Sequence, residues 1–193
     1  MMKLSMVAEA DHPELAGLFT KIRAGRGGRY SYPYKLLLHS PAIAAAWLEQ
    51  VSAVRWGIEL DAGIREIAII RIAILTRVNY VKKAHAEVYA EKAGLTHEQM
   101  AALESWENSQ RFSPAQRAAL AYIDAMTIQV QVPEAVQDGL QIHFNERQII
   151  ELTVLVGTYN MHCRVFQALE IERRSEIDKG EPSSKEKNSF FQK

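Results

Sequence analysis

The sequence predicts an all-α fold, a bundle of roughly seven or eight helices. Three observations carry that prediction. Apolar residues recur at spacings of three and four. Helix-start signals are frequent, with Ser, Thr, Asp or Asn followed three residues later by Glu or Gln. No segment sustains the alternation of a half-buried strand. The short run 128–132 alternates, but it reads better as a helix end leading to Pro133.

Each element has its own signal. Asp11 with Glu14 opens a helix over 12–24. Ser40-Pro41 sets a cap before proline at the first helical position, giving 41–57. Residues 62–76 carry isoleucine around nearly the whole circumference, which marks a core helix. The next helix covers 79–93. Thr96/Gln99 and Ser113/Gln116 are capping boxes for 97–107 and 114–128. Pro133 and Asn145/Gln148 open 133–142 and 146–169. The last helix places Leu152, Leu155, Val156, Tyr159, Cys163, Phe166 and Leu169 on one stripe. Between the first two helices, AGRGGRYSYPY (24–34) reads as a surface loop. Its glycines and arginines leave a lid or an anion-binding loop as the alternative. A single domain over 1–172 is expected, followed by a polar tail at 173–193 expected to be flexible. Phe190 and Phe191 in that tail are candidates for docking on a neighbouring subunit.

Composition narrows the function. A chain of 193 residues with 48% hydrophobic and 24% charged content suits one globular domain. Lys+Arg and Asp+Glu are equal at 23, so no basic footprint for nucleic acid or anionic membrane is expected. No apolar run reaches a membrane span, and the N-terminus has no secretory pattern, so a cytoplasmic protein is expected. The one cysteine, Cys163, rules out an internal disulfide. His12, His39, His97 and His143 form no metal-ligand spacing, and no Gly-rich strand-to-helix turn offers a nucleotide site. The expectation is no metal and no cofactor.

Two polar residues stand out in EIAIIRIAILTRVNYVKKAHAE (66–87). Glu66 shares its helix face with Ala62, Ile69, Ile70 and Ala73, where a carboxylate is costly unless paired. No cation lies three or four residues away on its own helix. On the next helix Val78, Val81, His85, Val88 and Tyr89 share a face. Helices joined by a short turn pack antiparallel, so Glu66 and His85 can meet. Such a pair is either a structural ion pair or an acid–base site.

The segment resembles the carboxymuconolactone decarboxylase/alkylhydroperoxidase D superfamily. Its redox branch carries Glu, eleven residues, Cys, two residues, Cys, three residues, His. Here Glu66 and His85 match the ends, and Val78 and Val81 fall on the two cysteines. REIAIIRIAILT, AEKAGLTHEQMAAL, FSPAQRAALAYIDAMT and HFNERQIIELTVLVGTYNM with Arg164 extend the likeness over about 35–172. Lys82 departs from relatives that place an aromatic there.

The resemblance implies an all-helical, usually oligomeric enzyme. The valines remove the thiolate that peroxide reduction needs. What the resemblance leaves is a cofactor-independent lyase acting on a small cyclic or unsaturated carboxylic acid. His85 is then the proton donor, Glu66 its orienting partner, and Val78 and Val81 an apolar wall. Tyr80, Asn160 and Arg71 are candidate substrate contacts, Arg71 for a carboxylate; packing or structural pairing is the other role open to each. One alternative is a peroxidase-related oxidoreductase using Cys163 or a partner's thiol. Cys163 on the apolar stripe reads more simply as core, and His162 points about 100° away from it. Another alternative is a non-catalytic helical binding protein. A homo-oligomer is expected.

Overall fold

The computed structural model describes residues 4–178, and among these no strand occurs. The α-helices are α1 (Ala16–Gly25), α2 (Tyr32–Leu37), α3 (Pro41–Trp56), α4 (Ala62–Leu75) and α5 (Asn79–Val88). They continue with α6 (His97–Ala102), α7 (Pro114–Asp124), α8 (Glu134–Gln141), α9 (Glu146–Ala168) and α10 (Ile171–Asp178). The chain divides into two compact units. One runs from Val54 to Val165; the other joins the chain up to Ala53 with the chain from Phe166.

The Val54–Val165 unit is built on α4. Ile67, Ala68, Ile69 and Ile72 are wholly buried and Ile70 nearly so. Each such isoleucine contributes about 1.5–3 kcal/mol relative to exposure. α4 packs against α5 and α7. Asp61 caps it by accepting from the Ile64 N–H at 3.0 Å.

α4 ends in a Schellman turn. The Val78 N–H donates to the Ala73 carbonyl and the Arg77 N–H to the Ile74 carbonyl. Arg77 takes the left-handed conformation at φ 57° that this turn requires. Only three residues therefore separate α4 from α5.

The two capping boxes at Thr96/Gln99 and Ser113/Gln116 form as expected. Asn145 and Gln148 bond reciprocally in the same way. The expected helix over 97–107 instead breaks. α6 gives way to a 3-10 stretch, Leu103–Asn108, kinked at Ser105. The break frees the carbonyls of Leu103 and Glu104, and both accept from Arg71 Nη1. The helix expected over 114–128 turns into a π-turn over Ala125–Gln129. It ends at Val130 with φ 67° and ψ −50°, a strained conformation for a β-branched residue.

In the other unit, α1 starts at Ala16 rather than 12. Two short 3-10 turns, Glu9–Asp11 and Pro13–Leu15, take up the preceding residues, and Asp11 caps nothing. The expected loop 24–34 is shorter than its composition implied, because Tyr32-Pro33-Tyr34 begins α2. Gly27 and Gly28, both at positive φ, form the turn itself. Phe19 and Ile22 of α1 are fully buried, and Trp47 stacks on Phe166 at 6.4 Å. α10 runs into the segment expected to be loose from 173 onward. The rest of that tail, with Phe190 and Phe191, lies outside the described residues.

Candidate functional site

α4 and α5 bring Glu66 and His85 together as the antiparallel turn predicts. His85 Nδ1 lies 2.6 Å from Glu66 Oε2. Glu66 is completely buried and His85 is 6% exposed. Two further partners complete the set. Arg65 Nε donates to Glu66 Oε1 at 3.2 Å. The Tyr159 hydroxyl on α9 lies 3.4 Å from His85 Nε2, with its ring edge-on to the imidazole.

The charges follow from these contacts. Burial pushes the Glu66 carboxyl up, but its bonds to His85 and Arg65 outweigh burial and hold it below the usual carboxylate range. Burial, helped by the nearby Arg55 and Arg65 guanidiniums, holds His85 below its ordinary value against the pull of Glu66. The resting pair is therefore an ionised carboxylate and a neutral imidazole. We assign the Nδ1 proton as donated to Glu66, which leaves the Nε2 lone pair as the acceptor facing the Tyr159 hydroxyl.

An aromatic wall adjoins the imidazole. Tyr89, at the end of α5, has its ring centre 5.2 Å from that of His85. The Arg55 guanidinium carbon, from the last turn of α3, sits 4.3 Å from the Tyr89 ring centre and 4.5 Å from that of Trp56. Arg65 lies over the same Trp56 ring at 5.5 Å. Arg55 is buried, while Trp56 is largely exposed.

Residues 41–125 match the profile of the carboxymuconolactone decarboxylase family. The chain is 29% identical over 126 residues to YnjA, an uncharacterized protein of Escherichia coli. That match covers 65% of this chain and 66% of YnjA, just under two thirds of the relative's length. The crystal structure of the debrominase Bmp8, a cysteine-to-alanine variant in complex with 2,3,4-tribromopyrrole, superposes with a TM-score of 0.74 at 17% identity. The superposition covers 93% of this chain and 97% of Bmp8. An uncharacterized peroxidase-related protein from a Silicibacter species gives 0.68 at 20% identity, over 81% of this chain and 82% of that one. Residues 41–125 are thus similar to the carboxymuconolactone decarboxylase family, and the all-helical fold is alkylhydroperoxidase D-like.

Within the superfamily pattern, Val78 and Val81 hold the two thiol positions and are 2% and 3% exposed. The other expected contacts are placed differently. Arg71 turns its guanidinium to partners within the protein. Its Nε and Nη2 hold both oxygens of Asp124 at 2.8 and 2.7 Å, and its Nη1 holds two carbonyls. Asn160 is likewise engaged. Its amide nitrogen donates to Thr127 Oγ1 and to the Val156 carbonyl, and its oxygen accepts from Arg164. Tyr80 is half-buried, and Lys82 turns outward to pair with Glu104 at 2.7 Å. Val88, expected on the His85 face, is 39% exposed. Cys163 is fully buried, and burial pushes its thiol up.

Sequence reasoning missed Arg65, Tyr159 and Arg55. Helical spacing gives no sign of Arg65, since adjacent helical residues point apart, although a long side chain can reach back. The Tyr159 stripe was read as core, but a buried tyrosine hydroxyl needs a partner, and that need was a usable signal.

Proposed function

We propose that the protein is a cofactor-independent lyase of the decarboxylase type, acting on a small cyclic or unsaturated carboxylic acid. The observation that carries this reading is the buried 2.6 Å contact between Glu66 and His85 beside valines at both thiol positions. Loss of CO₂ leaves its electron pair on the conjugated system as a dienolate, which must then take a proton on carbon. In this reading His85 Nε2 takes up one proton from solvent, becoming the imidazolium, and delivers it to that carbon, returning to the neutral imidazole. Because the resting imidazole is neutral, it acts as a base before it acts as an acid. Glu66, accepting from Nδ1, fixes the tautomer and stabilises the transient imidazolium. Val78 and Val81 offer an apolar wall that favours the charge-spread transition state over a solvated carboxylate. Arg71, Asn160 and Tyr80 carry no substrate role in this proposal. A homo-oligomer is part of it, tested by mass in solution.

The test is a screen of unsaturated lactone acids and keto acids for CO₂ release, with His85→Ala and Glu66→Ala as controls. The expected result is release by the wild type and a loss of about 10²–10⁴-fold in His85→Ala. Release unchanged by both substitutions sinks the reading.

The peroxidase-related and debrominase neighbours favour a second reading, thiol-based redox chemistry. In this chain it would run through Cys163 or a partner's thiol. Burial of Cys163 and its raised thiol work against its nucleophilicity. Peroxide turnover abolished by Cys163→Ala would restore this alternative.

A further inference from the structure

Among the described residues Arg55 is a buried cation without a counterion. It is 6% exposed, and its Nε and Nη2 atoms have no hydrogen-bond partner. What surrounds the guanidinium is aromatic: Tyr89 at 4.3 Å and Trp56 at 4.5 Å. Stacking supports the planar faces of the group. It leaves the N–H edge unsatisfied, and buried donors are rarely left so.

The nearby charges do not balance. Arg65 is matched by Glu66, and His85 is neutral at rest, so the positive charge of Arg55 is in excess. The protein shows elsewhere what this edge is shaped to hold. Arg71 uses the same two atoms, Nε and Nη2, to grip both oxygens of Asp124 side-on. Arg55 has the same edge with no acid against it.

We infer that Arg55 is the carboxylate anchor of the site, holding an anionic ligand side-on with the ligand's planar body along Tyr89 and toward His85. This deepens the lyase reading and takes the site's location from it. The exposed Trp56 ring marks the solvent side from which such a ligand enters. The group held at Arg55 is a handle, not the carboxylate that departs. An ion pair would stabilise the ground-state carboxylate and so oppose its loss. Arg55 thus sets specificity, and His85 Nε2 moves the proton.

The test uses benzoate and its neutral isostere benzamide as probes, titrated into the full chain and followed by tryptophan fluorescence and calorimetry. Wild type is expected to bind benzoate at least about tenfold more tightly than benzamide, from the bidentate charge-assisted contact. Arg55→Met is expected to abolish that preference without lowering Tm, because it replaces an unpaired buried cation with an apolar chain. Arg55→Lys keeps the charge but not the fork, and its preference should fall between the two. His85→Gln should keep the preference, so failure of the lyase reading and failure of this one are told apart. Three results would overturn the inference. One is equal benzoate affinity in wild type and Arg55→Met. The second is a fall in Tm or failure to fold in Arg55→Met, which would make Arg55 structural. The third is a changed oligomeric mass in Arg55→Met with no change in benzoate affinity, which would give the edge to a carboxylate of a second copy.

Discussion

His85→Gln changes how stability depends on pH, and the size of the change follows from burial. In the unfolded chain the imidazole takes its proton near pH 6.5. In the fold, burial and two guanidiniums hold it neutral to lower pH. Below 6.5 the unfolded state therefore binds the extra proton, and stability falls as pH falls. Glu66 acts in a lower window. Its contribution is present above its ordinary value of 4.5 and is lost as pH drops through its lower folded value. The interval from pH 7.5 to 5.5 thus isolates the imidazole. One proton taken up only by the unfolded state costs up to about 1.4 kcal/mol across it. Gln at 85 can still donate to Glu66 but does not titrate. Urea unfolding at both pH values should show wild type losing up to about 1.4 kcal/mol more than His85→Gln, or roughly 3–5 °C in Tm. Parallel losses would refute the neutral, buried imidazole. A wild type that gains stability relative to the variant at pH 5.5 would mean the resting pair is an imidazolium and a carboxylate, reversing the proton order proposed for catalysis.

Other substitutions test the frame around the site. Asp124→Ala strands the buried Arg71 and should cost about 3–5 kcal/mol in urea melts, with Arg71→Met/Asp124→Ala recovering much of it; a single-variant cost under about 1 kcal/mol would refute the pairing. Val130→Gly should stabilise by about 1 kcal/mol, because it relieves a strained φ at an exposed position, and Tm should rise by about 2–4 °C. Ser113→Ala removes the α7 cap and should cost about 1 kcal/mol by the same melts. Cys163 should react slowly with a thiol reagent in the native protein and rapidly in urea; rapid native reaction would contradict its burial.

The fold was legible wherever the signal was local. Ser113/Gln116 and Thr96/Gln99 give their capping boxes because the bonds they make span three residues. The isoleucines of α4 announce a core helix because no side of it can face water. The misses come where a long-range contact decides the backbone. The break at Ser105 spoils a plausible helix, and the carbonyls it releases are taken by Arg71, more than thirty residues earlier. The π-turn ending at Val130 had no local mark; within it Thr127 is held by Asn160 from α9.

The site divides along the same line. Glu66 and His85 could be paired from sequence because three residues of turn fix two helices antiparallel, and a buried carboxylate demands a donor. The arginines could not be sorted that way. Arg71 lies on the core helix beside the site in sequence, and so reads as a ligand for substrate carboxylate. Arg55 lies near the end of the preceding helix and reads as surface. What separates them is an acid 53 residues along the chain: Asp124 reaches Arg71, and among the described residues nothing comparable reaches Arg55. A guanidinium's availability depends on which carboxylates the fold brings to it, and helical periodicity is silent on that. The paired arginine holds α7 to α4; the unpaired one packs on two aromatic rings, of which Tyr89 adjoins the imidazole, with its carboxylate-binding edge unsatisfied.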